Sequence, residues 1–217
     1  MSPRRSVNPP KGGHHGESPV STRDAVFQAA ATLFSAKGFD GVSVDDIAAL
    51  AGVNKAMIYY HFADKIALYR SVVADMLMAV SEKVAAIAES EISPPEKLDR
   101  FVENFVRMAD ERPWFPTLMM REISEGAPHL DLDTLGHIRS VFLGFGRILR
   151  EGEAAGTFRT IPPILAYTSI IGPLMMNAAR ERIAARPERQ HLPMLVSVSH
   201  EDLIAHGQET ARRMLAP

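Results

Sequence analysis

The stretch SVDDIAALAGVNKAMIYYHF, residues 43–62, contains two short helical patterns separated by a glycine. Ser43 opens the first pattern with Asp46 three residues later, which is typical of a helix start because the two side chains can bond each other's backbone N–H groups. Gly52 tolerates the positive φ of a tight turn, and Asn54 is a residue type favoured at helix N-caps. We therefore predict two helices joined in a helix-turn-helix, Val44–Ala51 and Lys55–Phe62.

The second helix carries polar side chains of a kind that suits DNA. A helix-turn-helix places the start of its second helix in the major groove, so that its side chains reach base edges and phosphates. Those that fit this need are Lys55, Tyr59, Tyr60 and His61. Lys65 follows, where an ammonium and the start of the next helix can meet one phosphate. We expect Phe62 in the core that seats the helix, and Tyr59 fits either the core or the surface.

Helical periodicity extends over most of the chain. Upstream, apolar residues recur at helical spacing from Val26 to Phe34, and Gly38 is placed as a C-terminal cap. Downstream, six more helices are predicted between breaks at Pro and Gly: Lys65–Glu91, Glu96–Glu111, Trp114–Glu125, Leu132–Ala155, Pro163–Ala185 and Glu201–Leu215. Because no strand alternation of useful length occurs, the predicted fold class is all-α. A three-helix N-terminal module precedes a larger helical domain.

The composition excludes several classes of protein. It is 46% hydrophobic and 23% charged over 217 residues, as in an ordinary globular protein. The lack of cysteine excludes disulfides and thiolate metal sites. No apolar run approaches the roughly 20 residues of a membrane span, and the first residues lack the apolar core of a signal peptide. We therefore expect a cytoplasmic protein that does not insert into a membrane.

The N-terminal region differs in composition and charge from the rest. Residues 1–21 are rich in Pro, Gly, Ser and His, which predicts a disordered arm rather than a metal-binding tract. The whole chain has a net charge of −2, and residues 22–70 have five basic and five acidic side chains. Phosphate neutralisation contributes much of the affinity for DNA. A DNA-facing surface must therefore be basic by arrangement rather than by total charge.

The run from Ser43 to Tyr69 resembles the signature of the TetR family of transcriptional regulators. The matching pieces are Ser43, Ile47-Ala48, Ala51–Val53, Ile58–Phe62, Lys65 and Leu68. The preceding helix also matches, through Ala29-Ala30, Leu33-Phe34 and Lys37–Phe39. The resemblance implies a DNA-binding domain at residues 22–68. It also implies an effector-binding and dimerisation domain at residues 69–217.

The resemblance implies roles in the contact with double-stranded DNA. Base-facing positions are occupied by Lys55, Ala56 and Tyr59, and phosphate-facing positions by Ser43, Tyr60, His61 and Lys65. Val44 and Asp45 stand where some members contact bases or phosphates. Asp45 would repel a phosphate, so we expect it to point away or to accept from a cytosine amino group. Ala56 can offer only an apolar contact, such as one to a thymine methyl.

The larger domain is expected to hold an effector and to form a homodimer. The resemblance implies a largely apolar pocket among helices 4 to 8. Candidates are Phe101, Phe105, Met108, Trp114, Met119, Met120, Phe142, Phe145 and Met175, although for any single one the core is the favoured position. In the family, the last two helices pair with their copies in a four-helix bundle. The expected dimer face consists of Leu165, Thr168, Ser169, Gly172 and Met176, and Pro173 is expected to kink this helix.

These implications predict a repressor that a small, largely apolar effector releases from a palindromic operator by a population shift. An activator of the same fold remains an alternative, because a repressor and an activator differ in where the operator lies relative to the promoter. We predict no enzyme activity, metal site or cofactor. His200-Glu201 lacks the second histidine of a zinc motif, and Asp131 fits a helix cap better than a metal ligand. The alternative, an all-helical enzyme or lipid-binding bundle without DNA affinity, would use Glu122 and His129.

Overall fold

The structure, a computed structural model, describes residues 21–184, 188 and 198–217. These residues form nine helices and no strand, which confirms the all-α fold class. The helices are α1 (Thr22–Lys37), α2 (Val44–Ala51), α3 (Lys55–His61), α4 (Lys65–Glu89), α5 (Pro94–Glu111), α6 (Trp114–Glu125), α7 (Leu132–Ala154), α8 (Pro163–Ala184) and α9 (His200–Leu215). The arm predicted for residues 1–21 lies outside the described residues, apart from Ser21.

Helices begin where the sequence offers a capping side chain. A side-chain oxygen accepts a first-turn backbone N–H at Ser21, Ser43, Asn54, Asp64, Asp131 and Ser199. α5 instead opens with Pro94, which has no N–H to satisfy. α8 contains Pro173 and is one helix over its whole length. The predicted bounds of the helices agree with the observed ones to within two residues, because local caps and breaks set both.

The N-terminal module shares its hydrophobic core with the body of the protein. The cluster contains Phe34 of α1, Ile47 of α2 and Ile58 of α3, and it continues into Tyr69 of α4 and Leu118 of α6. We call this cluster the junction core. The domain boundary predicted at residue 68 falls inside α4 and inside this core. The boundary therefore stays a prediction, because the side-chain packing is continuous across residue 68.

A second cluster, the body core, fills the space between α5, α7, α8 and α9. Its buried side chains include Leu98, Phe145, Ile170, Ile204 and Leu215. Three partly buried side chains pack against both cores: Val80, Phe105 and Met175. The two cores are thus in contact through α4, α5 and α8.

Candidate nucleic-acid interface and ligand cleft

The helix-turn-helix is built from contacts between residues close in the chain. Ser43 and Asp46 form the predicted capping box, with N–H to oxygen distances of 2.9 and 3.1 Å. The hydrogen bonds from Ser43 lower the pKa of Asp46, because they stabilise its charged form. Gly52 takes the left-handed conformation, φ 69° and ψ 30°, that ends α2. Asn54 Oδ1 then accepts from the N–H of Met57 at 3.0 Å and starts α3.

α3 has one buried and one exposed face. Phe62, directly after α3, is buried in the junction core, as predicted. Tyr59 and Tyr60 are 47% and 79% exposed, although large aromatic side chains are mostly buried in folded proteins. Lys55 and Ala56, in the first turn, are exposed as well. The face that carries the predicted base and phosphate contacts is therefore accessible to a partner.

Lys55 has a partner on the neighbouring helix. Its Nζ lies 2.9 Å from Oδ2 of Asp45, with both side chains on the surface. This hydrogen bond raises the pKa of Lys55, because it stabilises the ammonium. Asp45 therefore accepts from a lysine that we expected to face bases. In the free protein the acidic side chain neutralises one of the few cations on this surface.

Lys65 holds the loop between α1 and α2. Its Nζ donates to the carbonyl oxygens of Phe39 and Val42, both at 3.0 Å, and lies 4.1 Å from the centre of the Phe39 ring. An ammonium has three N–H donors, so the two carbonyls use two of them. This structural role was missed in the sequence, because the two carbonyls lie more than twenty residues away.

The structure places Val44 in the core and His61 at its edge. Val44 is buried in the junction core, so its side chain packs α2 and offers DNA little surface. His61 is partly buried, and its Nε2 has no hydrogen-bond partner among the described residues. Its ring packs edge-on against Tyr60, with 5.0 Å between ring centres. The hydroxyl of Ser43 is used in the capping box. DNA contacts by the exposed residues stay predictions.

A cleft of about 230 Å³ lies between α5, α8 and α9. Its floor is apolar and includes Phe105, Val106, Leu174 and Leu203. Its rim carries Asp110, Asn177, Glu181 and His200. On that rim, His200 Nδ1 lies 3.4 Å from Asp110 Oδ2, and the Asn177 amide donates to Glu181 Oε1 at 3.1 Å. The cleft can accept a small molecule with an apolar part and a polar end.

The cleft does not coincide with the pocket predicted from the sequence. Of the nine candidates, Phe105 is the one that lines it. Four others are buried in the two cores: Phe101, Met108, Met119 and Phe145. The remaining four are partly buried: Trp114, Met120, Phe142 and Met175. Apolar residues at helical spacing mark a buried stripe, and the stripe alone does not distinguish close packing from a cavity.

α8 presents an apolar face that nothing in the described chain covers. Leu165 and Met176 are 55% and 62% exposed. The smaller members of the predicted dimer face are exposed too: Thr168, Ser169 and Gly172. Ile164 and Ile183 enlarge this face and were missed in the sequence. Exposed apolar patches of this kind are typical of protein interfaces.

Glu122 and His129, the side chains that the enzyme alternative would use, belong to one hydrogen-bonded network with Tyr69. Glu122 is 1% exposed, accepts from the Tyr69 hydroxyl, and lies 2.8 Å from His129 Nδ1. Burial, followed by the hydrogen bond to Glu122, raises the pKa of Tyr69. Asp131 caps α7, as expected. Within residues 21–184, 188 and 198–217, no group of three potential ligands is arranged for a metal, and no helix is long and apolar enough to cross a membrane.

Comparison with known sequences finds transcriptional regulators that match both the N-terminal module and the larger domain. Residues 26–72 match the family described as "Bacterial regulatory proteins, tetR family". Residues 94–186 match "Tetracyclin repressor-like, C-terminal domain". YttP, a probable HTH-type transcriptional regulator of Bacillus subtilis (strain 168), is 30% identical over 66% of this chain and 70% of its own. NicS, an HTH-type transcriptional repressor of Pseudomonas putida, is 28% identical over 69% of this chain and 71% of its own.

Solved structures show the same fold at lower sequence identity. The ketosteroid transcriptional regulator KstR2 of Mycobacterium tuberculosis superposes with a TM-score of 0.74 and 18% identity, over 93% of this chain and 98% of that one. A putative fatty acid metabolism regulator of Clostridium perfringens has a TM-score of 0.73 and 22% identity, over 89% and 99% of the two chains. At such identities the likeness establishes the fold alone.

Proposed function

Because the chain belongs to the TetR family of DNA-binding transcriptional regulators, we propose that it is a homodimeric repressor released from a palindromic operator by a small, largely apolar effector. The observation that carries this proposal is the exposed face of α3, with Tyr59 and Tyr60 outside the core. The relative NicS is a transcriptional repressor, which supports repression over activation. We assign catalysis to none of the described residues, and we place the protein in the cytoplasm, with the DNA.

In this proposal the exposed side chains of α3 divide between bases and phosphates. Lys55, Ala56 and Tyr59 face base edges in the major groove. Tyr60 and the remaining donor of Lys65 contact phosphates. Ser43 would join them by exchanging its bond to Asp46 for one to a phosphate, and His61 by turning its buried Nε2 outward. Direct readout of bases sets specificity, whereas phosphate contacts set affinity and salt dependence. Lys55 must exchange its partner Asp45 for DNA, so binding competes with an ion pair inside the protein.

The dimer would form through the exposed face of α8. Covering Leu165 and Met176 removes apolar surface from water, which favours association. The small residues Thr168, Ser169 and Gly172 allow close approach of a second helix. A two-fold arrangement presents two α3 helices to half-sites about one helical turn apart. This geometry is the reason for proposing a palindromic operator.

The effector would bind in the cleft between α5, α8 and α9. Its floor of apolar side chains suits an apolar body, and its polar rim suits a single polar end. Binding would favour a state whose α3 helices no longer match the groove spacing. A difference in affinity of about 1–3 kcal/mol between the two states changes DNA binding roughly five- to 150-fold. α4 connects the two regions, because it packs in the junction core and reaches the body.

The first experiment is selection of bound duplexes from a random DNA library, at two salt concentrations. We expect a palindrome with half-sites about one turn apart and a steep salt dependence. Tyr59→Ala should relax the preference for particular bases, and Tyr60→Ala should weaken binding to all sequences alike. Tyr167→Phe, in the body, should change neither base preference nor affinity. Failure of refolded protein to enrich any sequence would contradict the proposal. The position of the recovered operator relative to its promoter then separates a repressor from an activator.

The effector site has its own test. The single tryptophan, Trp114, adjoins Pro113 on the cleft wall, so its fluorescence should report binding of small amphipathic molecules. Ala178→Leu should fill the cleft, leave operator binding intact and abolish release by an active compound. The matched control, Ala205→Leu, adds the same atoms to an exposed position of α9. Release that survives Ala178→Leu would place the effector elsewhere.

A further inference from the structure

Glu122 is a buried carboxylate that the proposed function does not use. Its Oε1 accepts from the Tyr69 hydroxyl and lies 2.8 Å from His129 Nδ1, and its Oε2 lies 3.5 Å from the backbone nitrogen of His129. A buried charge is tolerated when hydrogen bonds replace the lost water. The carboxylate accepts only, so it orients both partners. It thereby ties α4, α6 and the loop after α6 to one another.

This network contacts the loop that leads into the helix-turn-helix. The ring of Phe39 lies 4.3 Å from the ring of His129 and 5.2 Å from that of Tyr69, centre to centre. Lys65 covers the same ring and bonds the carbonyls of Phe39 and Val42. Val42 directly precedes the capping box that starts α2. Phe39 therefore lies between His129 of the body and the loop that leads into α2.

The loop after α6 contains a residue in an uncommon backbone conformation. Ala127 has φ 57°, which L side chains rarely adopt. Its N–H donates to the carbonyl of Glu122 at 2.6 Å, and Arg70 Nε donates to the carbonyl of His129 at 2.9 Å. A strained segment persists only where its surroundings determine it. The loop thus has a defined position against the N-terminal module.

A second contact joins the same part of α6 to α1. Arg121, next to Glu122, lies against Gly38 at the end of α1, where an added Cβ would come within 2.6 Å of Nη1. Two consecutive residues of α6 therefore face the N-terminal module. One packs on the end of α1, and the other orients the side chains around Phe39.

We propose that Tyr69, Glu122 and His129 are positioning residues that set the angle of the helix-turn-helix on the body, and with it the half-site spacing that the dimer accepts. We call these three residues the Glu122 joint. The inference rests on the proposed dimeric function. Two α3 helices fit a palindrome when their separation and rotation match the groove. An added base pair both moves and rotates one half-site relative to the other. A module that is held less firmly on the body can follow that movement, so a looser Glu122 joint widens the range of spacings that the dimer binds.

The test measures affinity for inverted half-sites at centre-to-centre spacings from about 8 to 13 base pairs, and for a single half-site. Wild-type protein should prefer one spacing by at least about tenfold. Tyr69→Phe, which removes one hydroxyl, and Glu122→Gln, which removes the charge, should reduce that preference to about threefold or move it by one base pair. Affinity for the single half-site should stay within about twofold.

Tyr167→Phe is the matched control, since its hydroxyl makes no hydrogen bond in the described part of the chain and it lies in the body. Its spacing profile should equal that of the wild type. If Tyr69→Phe and Glu122→Gln keep the wild-type profile, or weaken every spacing alike, the inference is overturned while the dimeric function stands. If wild-type protein binds no palindrome, the proposed function itself fails, and the inference fails with it.

Discussion

The helix-turn-helix and the helical body are held by polar contacts of different range. In the helix-turn-helix, Ser43 bonds Asp46 three residues away. In the body, Lys97 of α5 donates to the carbonyl of Ala88 at 2.8 Å and to Glu151, 54 residues further along the chain. Local caps start a helix, but they do not hold one helix against another. Besides the bonds of Lys65 to the loop after α1, the small module therefore depends on the junction core, whereas the body has its own core and a buried ion pair between distant helices.

The largest expected effect tests this dependence of the module on the body. Leu118 of α6 is fully buried in the junction core, to which α1 and α4 also contribute side chains. Leu118→Ala should lower the free energy of unfolding by about 2–5 kcal/mol, because it removes buried contacts and leaves a cavity. Hydrogen exchange should also accelerate in α1–α3, far away in sequence.

The control for this change is Leu143→Ala, which truncates a half-exposed leucine of α7. Its effect on unfolding should stay within about 0.5 kcal/mol. Unchanged exchange of α1–α3 in Leu118→Ala would show that the module is stable without α6, and would break the comparison.

The next effect tests the buried contact in the body. Lys97→Met keeps the side-chain volume but removes the ammonium that bonds Glu151 and Ala88. We expect a loss of about 1–3 kcal/mol in the free energy of unfolding at neutral pH, at the lower end because the Glu151 side chain is 34% exposed and can rehydrate. Denaturant unfolding of the wild type and of Lys97→Met measures this loss.

The same pair gives an expected pH dependence. The hydrogen bond from Lys97 lowers the pKa of Glu151 below its usual 4.5. A carboxyl with a lowered pKa contributes stability above its unfolded pKa, and this is lost as the pH falls through its folded pKa. The difference between wild type and Lys97→Met should therefore shrink between neutral pH and about pH 3. If the difference in unfolding free energy stays constant with pH, the effect of Lys97→Met comes from packing alone.

A smaller effect concerns the local caps of the module. Ser43→Ala removes the capping box of α2, and we expect a loss of about 0.5–2 kcal/mol in the free energy of unfolding. Ser140→Ala removes an exposed hydroxyl within α7 and should change unfolding by less than about 0.5 kcal/mol. Thermal unfolding of the two variants compares them directly. Equal losses of stability in Ser43→Ala and Ser140→Ala would contradict a stabilising role for the cap.

The smallest effect has the opposite sign and concerns DNA. Asp45→Asn should free Lys55 and remove a charge that repels phosphate. Because surface ion pairs contribute at most about 1 kcal/mol, operator affinity should rise by up to about fivefold. The control Asp133→Asn removes the same charge from the start of α7 in the body and should change the affinity less. Competition binding at fixed salt measures both, and a fall in affinity for Asp45→Asn would indicate that this carboxylate itself reads a base.

The capping contacts show what could be predicted and why. Ser43 and Asp46 lie one helical turn apart, so their hydrogen bonds follow from spacing alone. Asp45 and Lys55 belong to different helices, and their pairing depends on the crossing of α2 and α3. Asp45 was expected to point away from phosphate or to accept from a cytosine amino group, and its pairing with Lys55 was not predicted. The two carbonyls that hold Lys65 were missed for the same reason.

The predicted pocket shows the same limit on a larger scale. Phe101 and Phe145 have the apolar character of pocket residues, and they pack against each other with 4.6 Å between ring centres. The observed cleft combines Val106 of α5, Leu174 of α8 and Leu203 of α9, from three distant parts of the chain. From the hydrophobicity of a side chain one can infer that it avoids water. One cannot infer whether it packs against protein atoms or lines a cavity.

The sequence by itself determined the helices, their capped starts, the helix-turn-helix and the family, because these depend on residues within one or two turns of each other. The tertiary structure alone decided which apolar side chains are core, where the cleft lies, and that Val44 faces inward. It also brought Glu122 to Tyr69 and His129 at the junction with the module. Such contacts depend on how whole helices pack, and many residues share in setting that packing.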